Sequence, residues 1–132
     1  MLLLDTHAAV WFATEDKSLG KRSRTLASEA LKEERLAVSS ISFWEIALLV
    51  AKGRLQAIAP PPELRALLLD TGVAELALTG DIALLAAGLE LHGDPADRFI
   101  AATAIAHRAT LVTADQRLLR WKHALPRHNA GR

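Results

Sequence analysis

No cysteine occurs in the 132 residues. That absence excludes a disulfide scaffold, thiolate zinc sites and a cysteine nucleophile, and it agrees with a reducing compartment. A dominant charge is missing as well: 16 Lys and Arg face 15 Asp and Glu, for a formal net charge of +1. The chain has no global field to draw nucleic acid, so any such binding must come from local patches. Long apolar runs are also absent. The longest segment free of Asp, Glu, Lys and Arg falls far short of the ~18–20 residues that span a bilayer. The opening Met1-Leu2-Leu3-Leu4-Asp5 has no basic leader and its apolar run stops at Asp5, so no signal peptide is expected. A cytoplasmic protein without membrane association is the expectation. Neither GxxxxGK[ST] nor GxGxxG is present, none of the five histidines stands in HExxH, and no GxSxG elbow supports a serine hydrolase. No repeat or low-complexity tract is found.

What is present is enough for a core. Half the residues are hydrophobic, mostly Ala and Leu, and a chain of this length buries roughly two-thirds of its unfolded surface. One domain over 1–132 is expected. Four short apolar runs, Leu2–Leu4, Leu36–Ser39, Ala74–Leu78 and Thr110–Thr113, read as buried strands. Helical spacing occupies Ser23–Glu34, Phe43–Lys52, Glu63–Leu69, Gly80–Leu91, Ala96–His107 and Gln116–Trp121. The tail is either irregular or one more edge strand. Strands alternating with helices predict an α/β fold: a mainly parallel sheet of four or five strands, covered on both faces as a three-layer α/β/α sandwich.

Four acids fall at telling places. Asp5 ends the first strand, Glu45 stands in the first turn of the next helix, Asp97 in the first turn of the helix near Pro95, and Asp115 just after Thr110–Thr113. In an open α/β sheet, ligands bind beyond the carboxyl ends of the strands. Carboxylates gathered there repel one another, and some take up protons unless a cation neutralises them. Oxygen ligands favour Mg²⁺ or Mn²⁺, and such an ion suits phosphodiester hydrolysis. Taken singly, each acid has an ordinary explanation, because carboxylates in a first turn accept free N–H groups and oppose the helix dipole. Ser42-Phe43-Trp44-Glu45 reads as a capping box with Glu45 at its third helical position. Asp94 likewise reads as the N-cap before Pro95, which puts Asp97 third.

The motifs resemble the PIN domain, a family of small Mg²⁺- or Mn²⁺-dependent nucleases. Leu3-Leu4-Asp5-Thr6-His7 with Trp11 matches its first motif, SSISFWEI over Ser39–Ile46 its second, DPADRFIAA from Asp94 its third, and LVTAD over Leu111–Asp115 its last. All four occur in order across essentially the whole chain, and DPADR with the short length is similar to VapC-type toxins. The resemblance implies an endoribonuclease acting on RNA, a homodimer, and inhibition by a cognate VapB-type antitoxin. It implies Asp5, Asp97 and Asp115 as metal ligands, with Glu45 either ligating a metal or positioning water. Thr6 and Thr113 are candidates to hold these carboxylates in place, or they make ordinary strand-end bonds. Arg98 meets a phosphate or pairs with a neighbouring acid.

Two other readings compete. One is a non-catalytic PIN-like module that binds RNA or protein. The other is a different Mg²⁺-dependent phosphoryl-transfer enzyme, although Asp5-Thr6-His7 lacks a second acid for a DxD start. Arg117, Arg120, Lys122, Arg127 and Arg132 form one candidate RNA-contacting segment, and Lys17, Lys21, Arg22 and Arg24 another. Trp121 is expected to pack with Leu118 and Leu119. Trp11, Phe12, Phe43, Trp44 and the helix Pro62–Leu69 are candidates for the core or for an antitoxin groove.

Overall fold

A computed structural model describes residues 1–56 and 59–132. Its centre is a five-stranded, wholly parallel sheet: β1 (Leu2–Leu4), β2 (Leu36–Ser39), β3 (Ala74–Leu76), β4 (Thr110–Thr113) and β5 (Arg127–Asn129), in the order β3-β2-β1-β4-β5. The seven helices of the described residues are α1 (Thr6–Thr14), α2 (Lys21–Lys32), α3 (Ile41–Ala51), α4 (Pro61–Thr71), α5 (Gly80–Ala87), α6 (Pro95–Ala106) and α7 (Gln116–Leu119). The tail supplies the fifth strand, parallel to β4.

Period-two alternation divides each strand between two cores. Leu2, Leu4, Leu36, Val38 and Val112 face one side and pack on Ala8, Ala9, Ala27 and Ala30 of α1 and α2. Leu3, Ala37 and Leu111 face the other and pack on Ile100, Ala101 and Ala104 of α6 with Leu118 of α7. Small residues on α1, α2 and α6 let these helices lie close to the sheet. The two covered faces give the expected α/β/α sandwich.

Several boundaries differ from expectation, each for a local reason. α1 was absent from the sequence reading. It exists because the Oδ1 of Asp5 accepts the N–H of Ala8 at 2.9 Å and caps the turn directly after β1. α2 runs Lys21–Lys32 rather than Ser23–Glu34, and the buried Ser23 hydroxyl instead donates to the carbonyls of Asn129 and Arg132. α3 starts at Ile41, not Phe43. The capping box on Ser42 therefore does not form, and Glu45 stands in the second turn rather than the first. Ser42 is buried, with its Oγ 3.1 Å from the Thr6 hydroxyl. β3 stops at Leu76, after which Leu78 N–H turns to the Ser40 hydroxyl. α4 takes in Pro61 and Pro62, since proline is tolerated in a first turn.

α5 ends at Ala87 instead of Leu91 because Arg98 reaches across from α6. One guanidinium nitrogen of Arg98 donates to the carbonyls of Ala86, Ala87 and Leu89, and the other to Leu91. These bonds satisfy the carbonyls that a helix end leaves free.

Candidate metal centre

Strand order turns about at β1, which continues to β2 and β3 on one side and to β4 and β5 on the other. A crevice opens at the carboxyl end of such a sheet beside that reversal. Asp5 leaves β1 there and Asp115 follows β4 there. A cavity of about 380 Å³ occupies the place, lined by Asp5, Glu45, Asp94, Asp97, Asp115 and Arg117 among others. All four acids expected from the sequence therefore meet in one cavity. A larger cavity of about 560 Å³, mostly apolar and lined by Phe12, Leu64, Leu67 and Leu68, lies elsewhere and holds none of them.

Three aspartates cap helices, and capping orients them. Asp5 caps α1 through Oδ1. Asp94 accepts the N–H of Asp97 at 3.1 Å, as expected of an N-cap before Pro95. Asp115 accepts the N–H groups of Arg117 and Leu118 at Oδ1, at 2.8 and 3.2 Å, and leaves Oδ2 facing the Arg117 guanidinium at 3.4 Å. Capping thus occupies one oxygen of Asp115 and leaves the other free of the helix N–H groups. A cap role does not exclude a ligand role for it.

The hydroxyls join this arrangement. Thr113 is buried; its Oγ1 accepts the N–H of Asp115 at 3.0 Å, and its hydroxyl stands near enough to the Asp5 carboxyl to pull its pKa down. Thr6, also buried, donates to the Ser42 hydroxyl at 3.1 Å and stands near enough to the Glu45 carboxyl to pull its pKa down. Arg98 does otherwise: its guanidinium is occupied by the carbonyls at the end of α5, which replaces the phosphate or acid contact expected of it. Arg127, placed by sequence in an RNA-contacting segment, likewise donates to the carbonyls of Leu118, Trp121 and His123. Trp121 packs against the cluster that contains Leu118, as expected, and is also stacked on His123 with its indole N–H on the Glu90 carbonyl.

One neighbour, His92, goes unannounced in the sequence; the other, Arg117, is expected there only as part of an RNA-contacting segment. His92 sits with its Nε2 2.7 Å from the Asp97 Oδ2, both side chains mostly buried. Arg117 approaches the same oxygen at 3.7 Å while also facing Asp115. The signal for His92 was its position two residues before the Asp94 cap, in HGDPAD; only the fold turns it back onto Asp97.

Electrostatics single out these acids. Burial pushes the Asp5 carboxyl above its ordinary range, against the pull of Thr113 and the Ala8 N–H. Burial also raises Glu45, with the charges of Asp97 and Asp94 adding to it. Asp97 is raised by burial, partly offset by the His92 hydrogen bond, and then further by Asp94 and Asp115. Asp115 goes the other way. Burial pushes it up, but the N–H groups of Leu118 and Arg117 and the Arg117 guanidinium together hold it below the usual value. Three carboxylates held reluctantly ionised beside a fourth form a site that a divalent cation stabilises. The donor set of carboxylate oxygens and one imidazole fits a small divalent ion.

A parallel, doubly wound sheet with a carboxylate-lined crevice at its order reversal defines a class: α/β proteins that gather acidic side chains at the strand ends. The chain belongs to the PIN-domain family, whose family model matches residues 2–123. It is 38% identical over 128 residues to Ribonuclease VapC22 of Mycobacterium tuberculosis, covering 95% of each chain. Its fold is also that of VapBC2 from Rickettsia felis, solved with a DNA fragment from its promoter (TM-score 0.70, 20% identity, 97% of each chain). DNA-bound VapBC from Salmonella typhimurium is similar as well (TM-score 0.67, 18% identity, 96% of each chain).

Proposed function

We propose that this protein is an endoribonuclease that hydrolyses RNA phosphodiester bonds with a divalent cation, Mg²⁺ or Mn²⁺, and that it is the toxin of a VapBC-type pair. The observation that carries the reading is the meeting of Asp5, Glu45, Asp97 and Asp115 in one cavity, three of them held above their usual carboxylate range. The identity to a named ribonuclease over nearly the whole chain supports the same reaction.

In this reading Asp5, Asp97 and Asp115 hold the ion, and Glu45 completes the set or orients the attacking water. When bound, the ion supplies Lewis-acid stabilisation of phosphate charge and lowers the pKa of water. The chain's own groups do the positioning. Thr113 holds the Asp115 backbone and stands beside Asp5, and Thr6 stands beside Glu45. Arg117, exposed at the rim, is placed to meet a phosphate once a cation neutralises Asp97 and Asp115. Lys17, Lys21, Arg22, Arg120, Lys122 and Arg132 are exposed and free to add salt-sensitive contacts along the RNA backbone.

We read the chain as one PIN domain over 1–132, forming a homodimer in the cytoplasm and held by a VapB-type antitoxin. The apolar cavity beside Phe12, Leu64, Leu67 and Leu68, where Leu67 is 48% exposed, is a seat for an amphipathic antitoxin segment. No helix of the described residues is long and apolar enough to cross a membrane.

The test is direct. Purified, antitoxin-free protein is incubated with structured and unstructured RNAs in Mg²⁺ or Mn²⁺, with and without chelator. Cleavage that stops with chelator is expected. RNAs left intact across the panel, or cutting that ignores the chelator, would refute the reading.

A further inference from the structure

The geometry points to His92 as a nitrogen ligand of the ion at this site, alongside Asp97 and Asp115, which makes the site selective for a first-row transition ion such as Mn²⁺ over Mg²⁺. The inference rests on the metal-site reading above and deepens it.

Three observations carry it. A ring nitrogen of His92 and carboxylate oxygens of Asp97 and Asp115 all lie within 4.8 Å of one another. Nitrogen and oxygen ligands sit about 2.0–2.2 Å from a small divalent ion, so two ligands on one ion stand no more than about 4.4 Å apart. The three therefore stand near enough for side-chain adjustment to gather them on one ion. Within this set, His92 Nε2 and Asp97 Oδ2 are 2.7 Å apart, close to the ~3 Å expected between adjacent ligands at right angles on such an ion. Finally, His92 is mostly buried, 16% exposed, and its segment is held from behind. Arg98 clamps the Leu89 and Leu91 carbonyls of the stretch that carries the imidazole. Asp97 and Arg98 are chain neighbours with opposite tasks: one faces the cavity, the other secures the loop that brings His92 onto Asp97.

Donor chemistry then sets the selectivity. Carboxylate and water suit Mg²⁺ and Mn²⁺ alike, whereas an added imidazole favours first-row transition ions over Mg²⁺, in an order where Mn²⁺ stands lowest. If His92 only oriented Asp97 by a hydrogen bond, the ion would contact oxygen alone and this bias would be absent.

The experiment uses the full chain, freed of metal and titrated with Mn²⁺ and separately with Mg²⁺ by calorimetry. Electron spin-echo modulation is then recorded on the Mn²⁺-loaded protein. The expected result is modulation from a directly coordinated imidazole nitrogen in the wild type, lost in His92→Ala. Mn²⁺ affinity should fall about tenfold or more in that variant, with Mg²⁺ affinity changing less. His92→Gln keeps a polar side chain beside Asp97 and is expected to lose the nitrogen signal too. A wild-type spectrum without imidazole nitrogen, or one that His92→Ala leaves unchanged, overturns the assignment while the carboxylate site stands. Failure of Mn²⁺ to bind the wild type at all overturns the metal site itself and this inference with it.

Discussion

Asp5 shows how one side chain serves fold and chemistry in opposite senses. It is 6% exposed, caps α1 and carries a carboxyl that burial holds above its ordinary 3.8. A carboxyl whose folded pKa is raised binds its proton more tightly in the fold than in the unfolded chain. Its contribution to stability is therefore full below 3.8 and is lost as pH rises through the folded value. Asp5→Asn keeps a cap oxygen and removes the buried charge. In metal-free buffer at pH 8 it is expected to melt about 3 °C or more above the wild type, a gain that shrinks toward pH 4. The same variant should cut RNA at least about 100-fold more slowly, beyond what loss of an outer partner costs. Comparing wild type with variant cancels His128, whose pKa burial lowers and whose effect on stability has the opposite slope. Arg117 makes a second prediction at this scale. It acts as an internal counter-ion for Asp97 and Asp115, so Arg117→Gln should tighten calorimetric binding of Mg²⁺ to the RNA-free protein. Unchanged or weaker binding would show that the guanidinium does not compete.

Among the elements, those set by short-range patterns were legible and those set by distant partners were not. β1, β2 and β4 match their sequence boundaries, because buried parallel strands are compact apolar runs between polar ends. The strand-end positions of Asp5 and Asp115 followed directly. α1 escaped notice because its residues, from Ala8 to Ala13, are apolar around the whole helix and show no one-sided period. The extent of α5 was overestimated because Leu89 and Leu91 continue an apolar rhythm, while the Arg98 that takes its last carbonyls comes from the next helix. His92 was invisible as a site residue for a related reason: the same clamp folds its loop onto Asp97. Arg98→Met therefore tests element and site together. Leaving those carbonyls unpartnered should cost about 2–3 kcal/mol, read as a lower denaturant midpoint, and should weaken Mn²⁺ binding without touching the cavity.

At the scale of the whole molecule, the residues after β5 are tied to the start of α2 by a close backbone approach. A Cβ on Gly20 would stand 2.2 Å from the Arg132 backbone. Gly20 N–H donates to the Ala130 carbonyl, and Ser23 N–H to that of Arg132. This contact seats the strand β5 segment against the start of α2. Gly20→Ala should lower stability by about 1–3 kcal/mol in a denaturant titration, as overpacking does elsewhere, while leaving the acid cavity intact and its ion affinity near normal. The parallel sheet itself is what brings acids from residues 5, 45, 97 and 115 to one edge. A cation held among them and the native fold would stabilise each other. Thermal unfolding with and without Mn²⁺, for the wild type and for Asp97→Asn, measures this coupling most directly. The account predicts a rise of several degrees in the wild type at pH 8, a smaller one at pH 5 where protons compete for the same oxygens, and none in the variant. A wild type indifferent to Mn²⁺, or a variant that gains as much, would contradict it.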